Sequence, residues 1–107
     1  MEDAIAFAKE KKFSVILGMD SNSHSELYGY STNKRGEDLE DFIFSNNLRV
    51  ENTGKIPTFE SHIGKTIIDV TLTYDLPLLM LGWKVDREYN GSDHNTITAS
   101  LGREKNR

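Results

Sequence analysis

The pattern of apolar and polar positions predicts alternating helices and strands. Residues 2–12 read as a helix, with Ile5, Phe7 and Ala8 forming a loose apolar face. Residues 13–18 carry Val15, Ile16 and Leu17 without polar alternation, which predicts a strand covered on both faces. Residues 19–34 are rich in Ser, Asn, Asp and Gly and read as a long loop. A second helix is predicted over 36–47, where Leu39, Phe42 and Ile43 share a face and Asn46 and Asn47 suit the end. Residues 48–51 form a short strand, followed by an Asn52-Thr53-Gly54 turn. Strands over 58–61 and 66–73 flank a glycine-containing hairpin at 62–65. In the second of these, Ile67, Asp69, Thr71 and Thr73 alternate with Ile68, Val70 and Leu72. Strands over 83–86 and 94–101, with a loop at 90–93, complete the chain. This order predicts an α/β (α+β) fold, with helices on one face of a mixed β-sheet and a second face that also wants cover.

Composition narrows the class. The chain has 107 residues, 36% hydrophobic and 28% charged, which fits one globular domain rather than a disordered tail. It has no cysteine, so disulfides and thiolate metal sites are excluded. The formal net charge of -4 argues against a dedicated nucleic-acid-binding module, since phosphate binding draws on a basic surface. It does not exclude a nuclease, whose metal-holding carboxylates push the total down. No apolar run approaches membrane-spanning length, so no membrane partner is expected.

Three constellations carry candidate chemistry. Asp20 and Asn22 follow the first strand and lie two residues apart, so extended backbone points them the same way. A carboxylate beside a carboxamide suits a hard metal and a phosphate oxygen; an Asx turn is the alternative. A calcium loop starting at Asp20 would need Gly at its sixth position and Glu at its twelfth, where Ser25 and Ser31 stand. Ser92-Asp93-His94 offers a metal carboxylate and a general base, or else a turn before a half-buried histidine. Asp69 breaks the preference of its β-branched strand for apolar residues, and His94 is its natural partner. Otherwise it is an exposed residue on an edge strand.

Other groups say less. Lys34 and Arg35 either meet a phosphate backbone or belong to a solvated loop. Trp83 reads as core rather than as a base-stacking platform. His24, His62 and His94 lack zinc-type spacing. Ser92 has no nucleophile elbow around it.

In order, these segments read Gly18-Met19-Asp20-Ser21-Asn22, Arg35-Gly36-Glu37-Asp38-Leu39, Pro57-Thr58-Phe59, Ile68-Asp69-Val70-Thr71 and Ser92-Asp93-His94. Over residues 13–101 the series resembles the endonuclease/exonuclease/phosphatase superfamily, and most of all the apurinic-type endonuclease domains of non-LTR retrotransposons. The resemblance implies half of that family's four-layer sandwich and hydrolysis of a DNA phosphodiester with Mg²⁺, or Mn²⁺ in its place. Asp20 would position the attacking water, Asn22 would hold the scissile phosphate, and Asp93 would contribute to the metal site. His94 would act on phosphate or water, oriented by Asp69, with Lys34 and Arg35 on the DNA backbone. A retrotransposon origin implies a nuclear setting.

A complete domain of that family also carries an N-terminal half with a metal-binding Glu. Glu2 and Glu10 lie on the first helix rather than after a strand. The expectation is therefore that residues 1–107 are one domain, the C-terminal half, with an incomplete metal site. Its exposed sheet face would then form a homodimer, for which Val15, Leu17, Ile68, Val70 and Leu72 are candidates for the buried or the dimeric face. The alternatives are a catalytically dead, self-associating relic, and the same fold acting on a phosphoinositide or another phosphoester.

Overall fold

The computed structural model describes residues 2–103. Helix α1 (Glu2–Lys11) leads into strand β1 (Val15–Asp20), followed after a loop by helix α2 (Lys34–Ser45). Six strands complete the chain: β2 (Arg49–Val50), β3 (Phe59–Glu60), β4 (Lys65–Thr66), β5 (Asp69–Tyr74), β6 (Leu79–Asp86) and β7 (Thr96–Gly102). The α/β class is as the sequence predicts. The strands pair antiparallel throughout, in three small sheets rather than one mixed sheet: β1-β5-β2, β3-β4 and β6-β7. No helix among the described residues is long and apolar enough to cross a membrane.

Both helices cover one face of the β1-β5-β2 sheet. Ile5 of α1 and Leu39 and Ile43 of α2 share a buried cluster with Val70 and Leu72 of β5. Val15, Leu17 and Met19 of β1 pack against the same cluster, opposite Tyr74, Leu72 and Val70 in register. Val15, Leu17, Val70 and Leu72 thus belong to the helix-covered core and are not available as a dimeric face. Phe7 also departs from expectation. Ile5 and Ala8, three residues apart, form the buried stripe of α1, and Phe7 lies off it, exposed against the Phe13 ring.

The strand β1 is not covered on both faces. Its burial alternates, and Ile16, Gly18 and Asp20 look out from the second face beside Thr73, Thr71 and Asp69 of β5. Trp83 of β6 crosses to this face and donates from Nε1 to Thr71 Oγ1 at 3.0 Å, so it is a buried, anchored residue as expected. An extra residue in β6 between Leu81 and Lys84 makes a bulge, with Gly82 at φ 63°. The strand predicted over 66–73 is interrupted because Ile67 and Ile68 are both buried, which a period of two cannot satisfy.

Candidate active site

Three ionisable side chains meet at the end of β1 and β5. Asp20 and Asp69 are directly opposed in the antiparallel register and share the second face. Like charges across a strand pair repel, so the pair needs a cation or a proton between them. His94 supplies the group: its Nδ1 lies 2.9 Å from Asp69 Oδ2 and its Nε2 lies 3.6 Å from Asp20 Oδ2. The hydrogen bond that Asp69 accepts from the ring raises the His94 pKa above its ordinary 6.5, and the charges of Asp69, Asp20 and Asp93 act the same way, against partial burial. One ligand atom from each of Asp20, Asp69 and His94 can be chosen so that all lie within 4.8 Å of one another. An open cleft of about 360 Å³ runs past them, lined also by Gly18, Thr71 and Ile97.

The loop after β1 is built to hold Asp20 and Asn22 in place. Asn22 adopts φ 50°, a left-handed conformation that asparagine tolerates well, and its amide donates to Asp20 Oδ1 at 2.9 Å. The Asx turn and the chemical site therefore coexist, one on each oxygen of Asp20. Ser21 Oγ donates to the Ile68 carbonyl at 2.7 Å, and Ser23 Oγ meets the hydroxyl of buried Tyr28 at 2.7 Å. The far end of the loop is pinned by Asn33, whose Oδ1 accepts from the amides of His24 and Gly36. Ser25 and Thr32 both donate to Glu40 on α2. Gly36 is required here: a Cβ would fall 1.6 Å from the His24 carbonyl oxygen.

Asp69 and His94 are held by residues to which sequence reasoning assigned no role. The hydroxyl of Thr58, fully buried, accepts from the amides of Ile68 and Asp69 at 3.0 and 3.1 Å. The Thr58 carbonyl accepts from the Asn95 amide at 2.7 Å, so this one residue ties Asp69 to the residue that follows His94. Asn52 extends the ladder beyond short β2, donating to the Asp69 carbonyl and accepting from the Thr71 amide. The ring of Phe59 meets the His94 imidazole edge-on at 4.9 Å. Glu60 is held down to about 2 by its hydrogen bonds from Arg87 and Asn95. The Pro-Thr-Phe segment was the available signal for Thr58 and Phe59. Asn52, Glu60 and Asn95 carry no local signature.

Of the other expected residues, Asn22 is exposed beside Asp20, and Asp93 is exposed beside His94 but outside the three-residue cluster. Lys34 sits on the first turn of α2, engaged with Asp38 at 2.9 Å, and Arg35 beside it is exposed. Neither cation lines the cleft beside Asp20, Asp69 and His94. In the turn before His94, Asn90 Oδ1 accepts from the Ser92 amide and Ser92 Oγ accepts from the His94 amide, so the Ser92 hydroxyl is engaged with backbone.

The profile of the family described as endonuclease–reverse transcriptase matches residues 1–98. The chain belongs to that family. Among solved structures it is similar to the endonuclease domain of TRAS1, a telomere-specific non-LTR retrotransposon, with 30% sequence identity and a TM-score of 0.79. That match covers 97% of this chain and 51% of the TRAS1 chain, so the chain spans about half the length of the solved domain. No curated protein matches it. Within this fold the ligand atoms of Asp20, Asp69 and His94 form a group that could hold a metal ion.

Proposed function

We propose that this chain carries the acid–base half of a metal-assisted endonuclease that cleaves DNA phosphodiester bonds, as a retrotransposon does when it nicks its target. The observation that carries this reading is the His94 imidazole held between the Asp69 and Asp20 carboxylates on an open cleft. Asp69 takes the Nδ1 side of the ring, which fixes its tautomer and stabilises its cation, and leaves Nε2 toward the cleft and Asp20. Asp20 accepts a proton from, or orients, a water in that gap. Asn22, tied to Asp20 through its amide, offers its carboxamide to a phosphate oxygen.

The donor set fits a hard divalent cation held mostly by water. Mg²⁺ is bound through one or two carboxylates and keeps several waters. With Nδ1 of His94 engaged by Asp69, the oxygens of Asp20 and the second oxygen of Asp69 are the ligands this chain would offer, with exposed Asp93 nearby in sequence. When bound, Mg²⁺ or Mn²⁺ would supply charge to the developing oxyanion. Lys34 and Arg35 belong to this proposal only as contacts to flanking DNA, and the setting would be the nucleus.

The test joins this chain to the half of the TRAS1 endonuclease domain that it does not match and measures supercoiled-plasmid nicking with Mg²⁺ or Mn²⁺. The expected result is nicking that Asp20→Ala and His94→Ala each abolish. A folded chimera that never nicks, or one that nicks equally well without His94, rejects the reading. The first outcome favours a catalytically dead interaction domain.

A further inference from the structure

His94 is bracketed by a single residue of the neighbouring hairpin. The Glu60 amide donates to the Asp93 carbonyl at 2.8 Å, and the Glu60 carboxylate accepts from the Asn95 side chain at 2.7 Å. These two bonds grip the residues immediately before and after His94. The same Asn95 Nδ2 also donates to the Pro57 carbonyl at 2.9 Å. On its other side the Glu60 carboxylate is taken by Arg87, through Nε at 3.0 Å and Nη2 at 2.6 Å. A two-pronged guanidinium contact fixes a carboxylate in its plane, so the acceptor offered to Asn95 has a set position. None of these groups touches the imidazole itself.

Ion pairs on the surface contribute little to stability, so stability alone is a weak reason to aim three side chains at one loop. Position is a stronger one, because a displacement of about 1 Å at a reacting group can cost about 100-fold in rate. We propose that Glu60 is a positioning residue of the site, and that its bridge from Arg87 to Asn95 sets where His94 sits between Asp20 and Asp69. The proposal rests on the reading of His94 as the reactive group.

Long-range proton–nitrogen NMR of the 107-residue chain, at a pH where His94 is neutral, reads that position as a tautomer. With Asp69 accepting from Nδ1, the wild-type ring is expected as the Nδ1–H form. Glu60→Ala should release it toward the Nε2–H form, whereas Glu60→Gln, which keeps an acceptor for Asn95, should retain Nδ1–H. Ile43→Val, in the core away from the site, should lower the unfolding midpoint and leave the tautomer unchanged. A Glu60→Ala chain that keeps the Nδ1–H form overturns the proposal. Should that variant fail to fold, Asn95→Ala removes the other end of the same bridge, and an unchanged tautomer there is equally fatal. The measurement involves no DNA, so loss of the nuclease reading would leave its outcome standing.

Discussion

Asp20 and Asp69 stand opposite each other on paired strands, and both carboxylates face the imidazole of His94. Two acidic groups in that arrangement repel unless something positive lies between them, and the imidazole is placed to fill that role when it is protonated.

A pH dependence follows. The folded-state pKa of His94 is raised above 6.5, chiefly by the Asp69 hydrogen bond. A raised pKa stabilises the fold fully below the unfolded value, and that contribution is lost as pH climbs through the folded value. Without divalent cations, urea denaturation should show stability falling as pH rises past the unfolded value of about 6.5 and through the raised folded value. Asp69→Asn should flatten that slope, and an unchanged slope would contradict the pairing.

Gly36→Ala sets two effects against each other. Alanine favours a helix over glycine by about 1 kcal/mol. Here its Cβ would run into the His24 carbonyl, which cannot yield without opening the loop, and such overpacking costs about 1–3 kcal/mol. The clash should win, with a net loss of stability in chemical denaturation and weaker Mn²⁺ binding, because the displaced loop carries Asp20 and Asn22.

Thr58→Val keeps the shape of the side chain and removes the acceptor for two amides. Each buried donor left unpaired costs about 1–3 kcal/mol, so a loss on the order of 2 kcal/mol or more is expected. Thr58→Ser should recover most of it. A loss in Thr58→Ser with Thr58→Val unaffected would mean that the methyl group, not the hydroxyl, matters at this position.

The 107-residue chain should associate with itself and should nick DNA poorly. The second face of β1 and β5 leaves Ile16 46% exposed, two residues from Gly18, which lines the open cleft together with Ile97. Ile16→Asp should shift light-scattering mass toward the monomer. A wild-type monomer at micromolar concentration would refute the association. Plasmid nicking by the chain alone should be near background, because groups that act as a unit lose nearly everything when part of the unit is absent. Robust nicking that His94→Ala removes would show that the residues here suffice.

The Asp69–His94 pairing was legible because an acidic residue in a strand of β-branched neighbours is a local contradiction, and a partner resolves it. Helix α2 was legible from Leu39 and Ile43 at a four-residue spacing. Tyr28 was not: it lies in a polar stretch with no period, yet it is buried and joins the main core. Its hydroxyl is satisfied by Ser21 and Ser23, so serines that read only as part of a long loop are turned inward. Glu60, Arg87 and Asn95 also escaped notice. They are surface-type residues whose meaning comes from contacts 27 and 35 positions apart in sequence.

The inward-turned loop between β1 and α2 has a consequence for how such a protein can change over generations. Ser21, Ser23, Ser25, Tyr28, Thr32 and Asn33 each spend their side chains on internal bonds, and Gly36 tolerates nothing larger. Glu26 and Leu27 are exposed and carry no such side-chain bond among the described residues. Copying errors in the frame positions should be purged, whereas those two can drift. Variation among close relatives of this chain should therefore gather at Glu26 and Leu27, leaving the frame around Asp20 and Asn22 untouched while the outer surface of the loop diversifies.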